Sequence, residues 1–185
     1  VGFGAAAQAF VPALQASSAF DLVAIVETNA EVQLSAKNLG VPVFSHLHEL
    51  QQIPDLDGVY IATPTPCHEA QTIESLRQGW HVLVEKPMAS NAEEALRMVN
   101  ASKQYGKSLT VGHSHSFDAP IQAMKQIIES GELGAVQMVN TWCYTDWVYR
   151  PRRPEELDRA LGGGVTFRQG AHQIDILRAL CGPQV

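Results

Sequence analysis

Residues 1–7 read VGFGAAA and contain a Gly-x-Gly-x-x-Ala turn made of Gly2, Gly4 and Ala7. In such a turn the first glycine permits a tight bend and the second lets the backbone approach a pyrophosphate. The small third residue lets the next helix pack closely on a strand, and the amides at that helix start attract phosphate. The turn alone is a weak signal, because an ordinary glycine turn has the same spacing.

An acidic residue stands where a dinucleotide site requires one. Glu27 follows the apolar run 21–26 and lies at about the 20-residue distance from the turn that such sites use. A carboxylate there accepts hydrogen bonds from an adenosine ribose and repels a 2′-phosphate. The turn and Glu27 together predict a dinucleotide site that binds NAD, with NADP the weaker candidate.

Apolar runs alternate with helical stretches over residues 1–112. The runs are continuous, as expected of strands buried on both faces of a parallel sheet. Apolar residues between them recur at helical spacing, and Gly79 and Gly106 close two of these helices. The order predicts an α/β fold, a doubly wound parallel sheet over residues 1–112. The runs are 21–26, 41–44, 58–62, 81–84 and 108–111.

The pattern changes over residues 113–185. Helices are predicted from Pro120 to about Glu129 and from about Gly170 to Leu180, with a strand-like run at 136–143 between them. These elements predict a second, α+β domain with too few strands for a sheet of its own. We therefore expect this domain to be incomplete, and the missing strand before Gly2 suggests a trimmed start as well.

Two further motifs follow strands of the predicted sheet. Thr63-Pro64 and His68 come after the run 58–62, and Glu85-Lys86-Pro87 comes after the run 81–84. Parallel α/β sheets bind ligands at the carboxyl ends of their strands, so both motifs are expected at that edge. A lysine there can hydrogen-bond a reacting hydroxyl and exchange a proton with it. The alternatives are a proline-rich loop and a surface lysine.

Together with a later Gly170-x-His172-x-x-Asp175, these motifs resemble the Gfo/Idh/MocA family of oxidoreductases. The resemblance covers the whole chain and is most specific in Glu-Lys-Pro. It implies an N-terminal Rossmann domain and a C-terminal domain built on a mainly antiparallel open sheet that forms homodimers or homotetramers. It also implies Lys86 and His172 as the catalytic residues. The residues implied to border NAD are Gly2, Gly4, Ala7, Glu27, Thr63, Pro64, His68, Glu85 and Pro87.

The arginines bear on the substrate. In sugar-oxidising members of the family, the segment that this one resembles reads Asp-x-Gly-x-His. Here Arg168 stands in place of that Asp. Six of the eight arginines lie within residues 150–178, and Arg150 and Arg152 share a proline-stiffened loop. Because a guanidinium pairs with a carboxylate through two parallel hydrogen bonds, we infer a substrate that carries one or more carboxylates. A solvated basic loop or an oligomer contact is the alternative.

Two histidine pairs, His46-x-His48 and His113-x-His115, could ligate zinc from one face of a strand. No acidic residue has a recognisable ligand spacing to them, so we predict no metal site. We assign His113 to the substrate pocket and the first pair to the surface. Asp175, one helical turn after His172, is assigned to the same pocket, where it could orient the imidazole; a purely structural capping role is the alternative.

The composition disfavours several classes of protein. With 45% hydrophobic and 17% charged residues and a net charge of −6, the chain is expected to be a soluble globular protein that binds neither nucleic acid nor anionic membranes. No apolar run approaches the roughly 18 residues of a membrane span. The three cysteines lie far apart, so a disulfide framework is not expected and a cytoplasmic location is favoured.

The combined expectation is an NAD-dependent dehydrogenase that takes hydride from a secondary hydroxyl of a carboxylated cyclic diol. Lys86 would accept the hydroxyl proton, and His172 would orient the hydroxyl or relay the proton. Within the family, the sequences of residues 112–118, 149–152 and 162–172 resemble those of 4,5-dihydro-4,5-dihydroxyphthalate dehydrogenases of aromatic degradation. This resemblance implies an anionic cyclic substrate. The alternatives are a sugar or inositol dehydrogenase, a non-catalytic NAD-binding sensor, and a metal-dependent hydrolase that uses His113 and His115.

Overall fold

The computed structural model describes residues 1–145, 149, 151–152, 154–161 and 163–182. The chain divides into two compact units, unit 1 (Val1–Val111) and unit 2 (Gly112–Val185). None of the helices in the described part of the chain combines the length and the apolar character needed to cross a bilayer.

Unit 1 alternates parallel strands with helices, as predicted. In chain order its elements are α1 (Ala5–Ala16), β1 (Ile25–Val26), α2 (Ala30–Ala36), β2 (Val43–Phe44), β3 (Gly58–Ile61), α3 (His68–Arg77), β4 (His81–Val84), α4 (Ala92–Tyr105) and β5 (Leu109–Val111). Strand β1 pairs with β2, and β4 lies between β3 and β5; all of these pairs are parallel.

Residues 1–3 join the two groups of strands. The Gly2 amide donates to the Val26 carbonyl at 2.8 Å, and the Ala62 amide donates to the Val1 carbonyl at 2.8 Å. This short segment therefore takes the central place between β1 and β3. The resulting order, β2-β1-(1–3)-β3-β4-β5, is the doubly wound order, with its switch point beside the glycine turn. The predicted doubly wound parallel sheet is confirmed.

Two apolar clusters lie on opposite faces of this sheet. Val59 and Ile61 belong to one cluster, whereas Tyr60 packs against the other. Successive side chains of a strand point to opposite faces, so helices must cover both sides. Leu76 of α3 and Met98 of α4 are fully buried in the first cluster. Burial on both sides explains why the strand sequences are continuously apolar.

The first two strands are shorter than their apolar runs. The runs 21–26 and 41–44 form a ladder only at their carboxyl ends, in β1 and β2. Pro42 precedes β2 and accepts a hydrogen bond from the Ile25 amide at 2.9 Å. Because proline has no N–H to donate, the ladder of β2 begins at Val43.

Unit 2 contains the helices α5 (Ala119–Ser130), α6 (Pro154–Leu157) and α7 (Val165–Cys181). Helix α5 agrees with its prediction within a residue, and α7 begins at Val165 rather than near Gly170. The predicted strand at 136–143 is wrong, since these residues form neither helix nor strand. A strand needs a neighbour for its backbone hydrogen bonds, and no segment in the described part of unit 2 pairs with it. The mainly antiparallel sheet is therefore not found in the described residues.

Candidate functional site

Gly2 lies against the loop after β3. Its φ is +79°, and a Cβ at this position would lie 2.8 Å from Thr63 Cγ2 and 2.9 Å from the Ala62 carbonyl oxygen. An L-residue disfavours this φ, and the Ala62 backbone leaves no room for a side chain. Gly2 is therefore required by both backbone conformation and packing.

Gly4 has a different environment from Gly2. It is the N-cap of α1, with a φ of −72°, and a Cβ there would meet no atom within 4 Å. Open space thus lies in front of the helix, where the backbone can approach a ligand and the first-turn amides favour an anion. Ala7 is 7% exposed and packs with Ile25 of β1. These three residues fit the pyrophosphate of a dinucleotide.

Both carboxylate oxygens of Glu27 accept backbone hydrogen bonds. Oε2 accepts from the Phe3 amide at 2.7 Å, and Oε1 accepts from the Asn29 amide at 2.8 Å. These bonds fix the carboxylate at the end of β1, beside the glycine turn. Because a carboxylate has about four acceptor positions, capacity remains for ribose hydroxyls.

Replacing Glu27 by Gln should raise the ratio of kcat/KM for NADP to that for NAD by about tenfold or more. The substitution removes the repulsion between the Glu27 carboxylate and the 2′-phosphate of NADP, and like charges a few ångströms apart repel by about 1–4 kcal/mol. Initial rates of the full-length protein with each cofactor would measure this ratio. A local disordering that lowers kcat/KM equally for both cofactors cancels in this ratio. The exposed Glu31→Gln variant on α2 is the control, and an unchanged ratio for Glu27→Gln would remove Glu27 from cofactor discrimination.

The Thr63 and Glu-Lys-Pro motifs lie at the carboxyl ends of the adjacent strands β3 and β4. His68 is 1% exposed, with its Nε2 2.8 Å from the Thr63 carbonyl oxygen and its Nδ1 3.0 Å from the Pro87 carbonyl oxygen. The Thr63 hydroxyl donates to Gln71 of α3 at 2.6 Å. Pro64 is exposed, Pro87 is buried and Lys86 is half-buried. The structure thus brings the two predicted motifs together, with His68 between them.

Glu85 has a hydrogen-bond partner, Tyr60, that belongs to none of the sequence motifs. The Tyr60 hydroxyl donates to Glu85 Oε1 at 2.6 Å, and Oε2 accepts from the Lys86 amide at 3.1 Å. Burial, followed by the hydrogen bond to Glu85, raises the pKa of Tyr60 above its ordinary value. Tyr60 therefore keeps its proton and remains a donor. Its signal in the sequence is one hydroxyl-bearing residue within an aliphatic strand.

Three predicted residues cluster within unit 2. His172 on α7 is 5% exposed, and its ring centroid lies 6.3 Å from that of His113 and 4.3 Å from that of His115. The Nδ1 of His113 lies 3.5 Å from Asp175 Oδ1, so Asp175 pairs with His113. His115 pairs with Asp118 at 2.8 Å. Among the described residues, no group of three or more ligating side chains is arranged to hold a metal ion.

The arginines predicted to bind substrate have different surroundings. Arg168 Nη2 lies 3.5 Å from Glu156 Oε1, and the two side chains are 21% and 14% exposed. This arginine already faces a carboxylate of its own chain. Arg152 is half-buried, and Arg150 lies outside the described residues.

The chain matches two sequence models of one family. Residues 1–113 match the GFO/IDH/MocA oxidoreductase family with its NAD-binding Rossmann fold, and residues 121–185 match the GFO/IDH/MocA C-terminal domain. A 1-carboxy-3-chloro-3,4-dihydroxycyclohexa-1,5-diene dehydrogenase of Comamonas testosteroni is 42% identical over 182 residues, which are 97% of this chain and 46% of that protein. An inositol 2-dehydrogenase of Ralstonia nicotianae is 29% identical over 187 residues, covering 98% of this chain and 53% of that protein.

A solved structure shows the same likeness. The WlbA dehydrogenase of Bordetella pertussis, crystallised with NADH and UDP-GlcNAcA, is 32% identical and superposes with a TM-score of 0.85 over 98% of this chain and 54% of that one. The chain spans about half the length of these relatives.

Proposed function

Since this chain belongs to the Gfo/Idh/MocA oxidoreductase family, we propose that its protein is an NAD-dependent dehydrogenase acting on a carboxylated cyclic diol. The observation that carries the proposal is the position of Lys86. It follows β4 at the carboxyl edge of the sheet, where doubly wound folds bind their ligands. NAD, when bound, supplies the hydride acceptor.

The residues of unit 1 would divide the binding of NAD between them. Gly4 and the first turn of α1 would hold the pyrophosphate, since a Cβ at Gly4 would enter open space. Glu27 would accept hydrogen bonds from the adenosine ribose, because its carboxylate is already fixed by the Phe3 and Asn29 amides. The loop that begins at Thr63 would border the nicotinamide half.

Lys86 would hold the reacting hydroxyl and take its proton while the carbinol carbon becomes a carbonyl. A positioned general base of this kind contributes about 10²–10⁴-fold to a rate. His172 is the second acid–base candidate, since it is buried among two further histidines of unit 2. With a cis-dihydrodiol, the ketone would tautomerise to a catechol, and aromatisation would draw the reaction forward.

The proposed substrate class rests on two observations. The Comamonas testosteroni relative is named for a ring that bears one carboxyl and two hydroxyl groups. Arg168 also occupies the position at which the resemblance to polyol-binding members implies an Asp. This replacement disfavours a neutral sugar as the substrate. Oxidation of an inositol is the second candidate, because the Ralstonia nicotianae relative is an inositol 2-dehydrogenase.

The experiment follows reduction of NAD by the full-length protein with a dihydrodiol phthalate and with myo-inositol. We expect turnover of the dicarboxylate alone, and an Arg152→Ala variant should raise its KM by about tenfold, the usual scale of a lost charge-assisted hydrogen bond. Turnover of inositol instead would support the second candidate, and turnover of neither would overturn the proposal.

The ion pair of Arg168 supplies a further control for this experiment. If Arg168 binds the substrate, Arg168→Ala should raise KM far more than Glu156→Gln does. If its role is the ion pair with Glu156, the two variants should behave alike. In that case Arg168 is excluded as a substrate ligand.

A further inference from the structure

We propose that His68 is a positioning residue that ties the loop after β3 to the turn after β4 and thereby fixes the backbone at Lys86. The inference rests on the proposed role of Lys86 in hydride chemistry. It assigns to His68 a task other than bordering the cofactor. A side chain that is 1% exposed offers almost no surface to a ligand.

The contacts of the imidazole reach both loops. Nε2 lies 2.8 Å from the Thr63 carbonyl oxygen, and Nδ1 lies 3.0 Å from the Pro87 carbonyl oxygen and 3.3 Å from that of Met88. Carbonyl oxygens only accept, and a neutral imidazole carries one N–H, so the neutral ring donates on one side only and the protonated ring donates on both. One ring thus contacts Thr63, 5 residues before it in sequence, and Pro87, 19 residues after it.

Helix α3, which carries the His68 ring, is tightly packed. His68 is the first residue of α3, and the buried side chains Thr72, Ser75 and Leu76 of the same helix are 0% exposed. Interiors packed in this way allow little displacement of a residue. A hydrogen bond from His68 therefore fixes its partner relative to the sheet.

The partner is the residue directly after Lys86. Pro87 is buried, and its ring restricts φ to about −65°. Holding the Pro87 carbonyl therefore leaves few conformations to the Lys86 backbone. A displacement of about 1 Å at a reacting group can cost about 100-fold in rate, so an anchor of this backbone matters for turnover.

Three variants of the full-length protein separate the two contacts. The amide nitrogen of asparagine takes the place of Nδ1, so His68→Asn can keep the bond to Pro87. The amide nitrogen of glutamine takes the place of Nε2, so His68→Gln can keep only the bond to Thr63, and His68→Phe fills the volume without donating. We expect kcat to fall by about 10- to 100-fold in the Gln and Phe variants and by less than tenfold in the Asn variant.

The cofactor supplies a second readout. ADP-ribose lacks the nicotinamide, so its affinity should depend on Gly4 and Glu27 and stay within about twofold in all three variants. The matched control is Thr72→Val, which alters a buried hydroxyl on the same helix; this hydroxyl has no hydrogen-bond partner among the described residues. It should leave kcat unchanged.

A residue that merely fills the core would give another order of activity. In that case His68→Phe would be at least as active as the Asn and Gln variants, and this order would overturn the proposal. Amide hydrogen exchange over residues 84–90 keeps the test independent of turnover. Exchange should quicken in the Gln and Phe variants but not in the Asn variant. If the wild type is inactive but shows this exchange pattern, the proposed function is overturned and the positioning role of His68 is still supported. Equal exchange in all variants would refute the positioning role.

Discussion

Replacing Lys86 by methionine should lower kcat by about 100-fold or more while NAD still binds. Methionine keeps an unbranched side chain of similar length, so packing at the half-buried position is largely preserved. It has no nitrogen to hold a hydroxyl or accept its proton. A loss of this size is the usual scale for a missing general base.

Steady-state rates with the diol substrate and NAD binding by titration together test this prediction. Lys103→Met is the matched control, because it makes the same change at an exposed position near the end of α4. The control should keep wild-type kcat. Full turnover by Lys86→Met would remove Lys86 from the mechanism, and loss of NAD binding with loss of activity would assign Lys86 to cofactor binding.

Much of unit 1 could be predicted from its sequence. Each continuous apolar run contains a strand, because burial on both faces of a parallel sheet demands apolar residues at every position. Gly106 ends α4 with a φ of +64°, as expected of a residue that closes a helix. The strand predicted at 136–143 is wrong, since apolar character does not provide the neighbour that a strand requires.

The candidate site could be predicted only as a set of motifs. Residues that follow parallel strands meet at one edge, which is why Thr63 and Glu85-Lys86-Pro87 could be grouped from sequence. The orientation of side chains could not be predicted. His68 belongs to a recognised motif yet points into the protein, and the partner of Glu85 is Tyr60, which lies in the middle of β3.

The same substitution should affect different properties at the two glycines of the turn: stability at Gly2 and NAD affinity at Gly4. At Gly2, alanine must adopt a φ of +79° with its Cβ within 3 Å of the Ala62 carbonyl oxygen and of Thr63. The left-handed backbone costs about 1–2 kcal/mol, and overpacking costs about 1–3 kcal/mol. We therefore expect Gly2→Ala to lower the free energy of unfolding by about 2–5 kcal/mol, because the contact is with backbone that cannot move aside.

Gly4→Ala is the matched variant, since its φ of −72° suits any residue and its Cβ would meet no protein atom within 4 Å. Alanine is a poorer N-cap than glycine by up to about 1 kcal/mol, but it also restricts the unfolded chain, which offsets about 0.4–1 kcal/mol. The free energy of unfolding should therefore change by less than about 1 kcal/mol. The methyl group would instead occupy the space that the pyrophosphate needs, and NAD affinity should fall by about tenfold or more. Urea unfolding and NADH titration of both full-length variants measure the two effects. If Gly4→Ala binds NADH as tightly as wild type does, the open space in front of α1 does not hold the phosphates, and the assignment of the turn to dinucleotide binding fails with it.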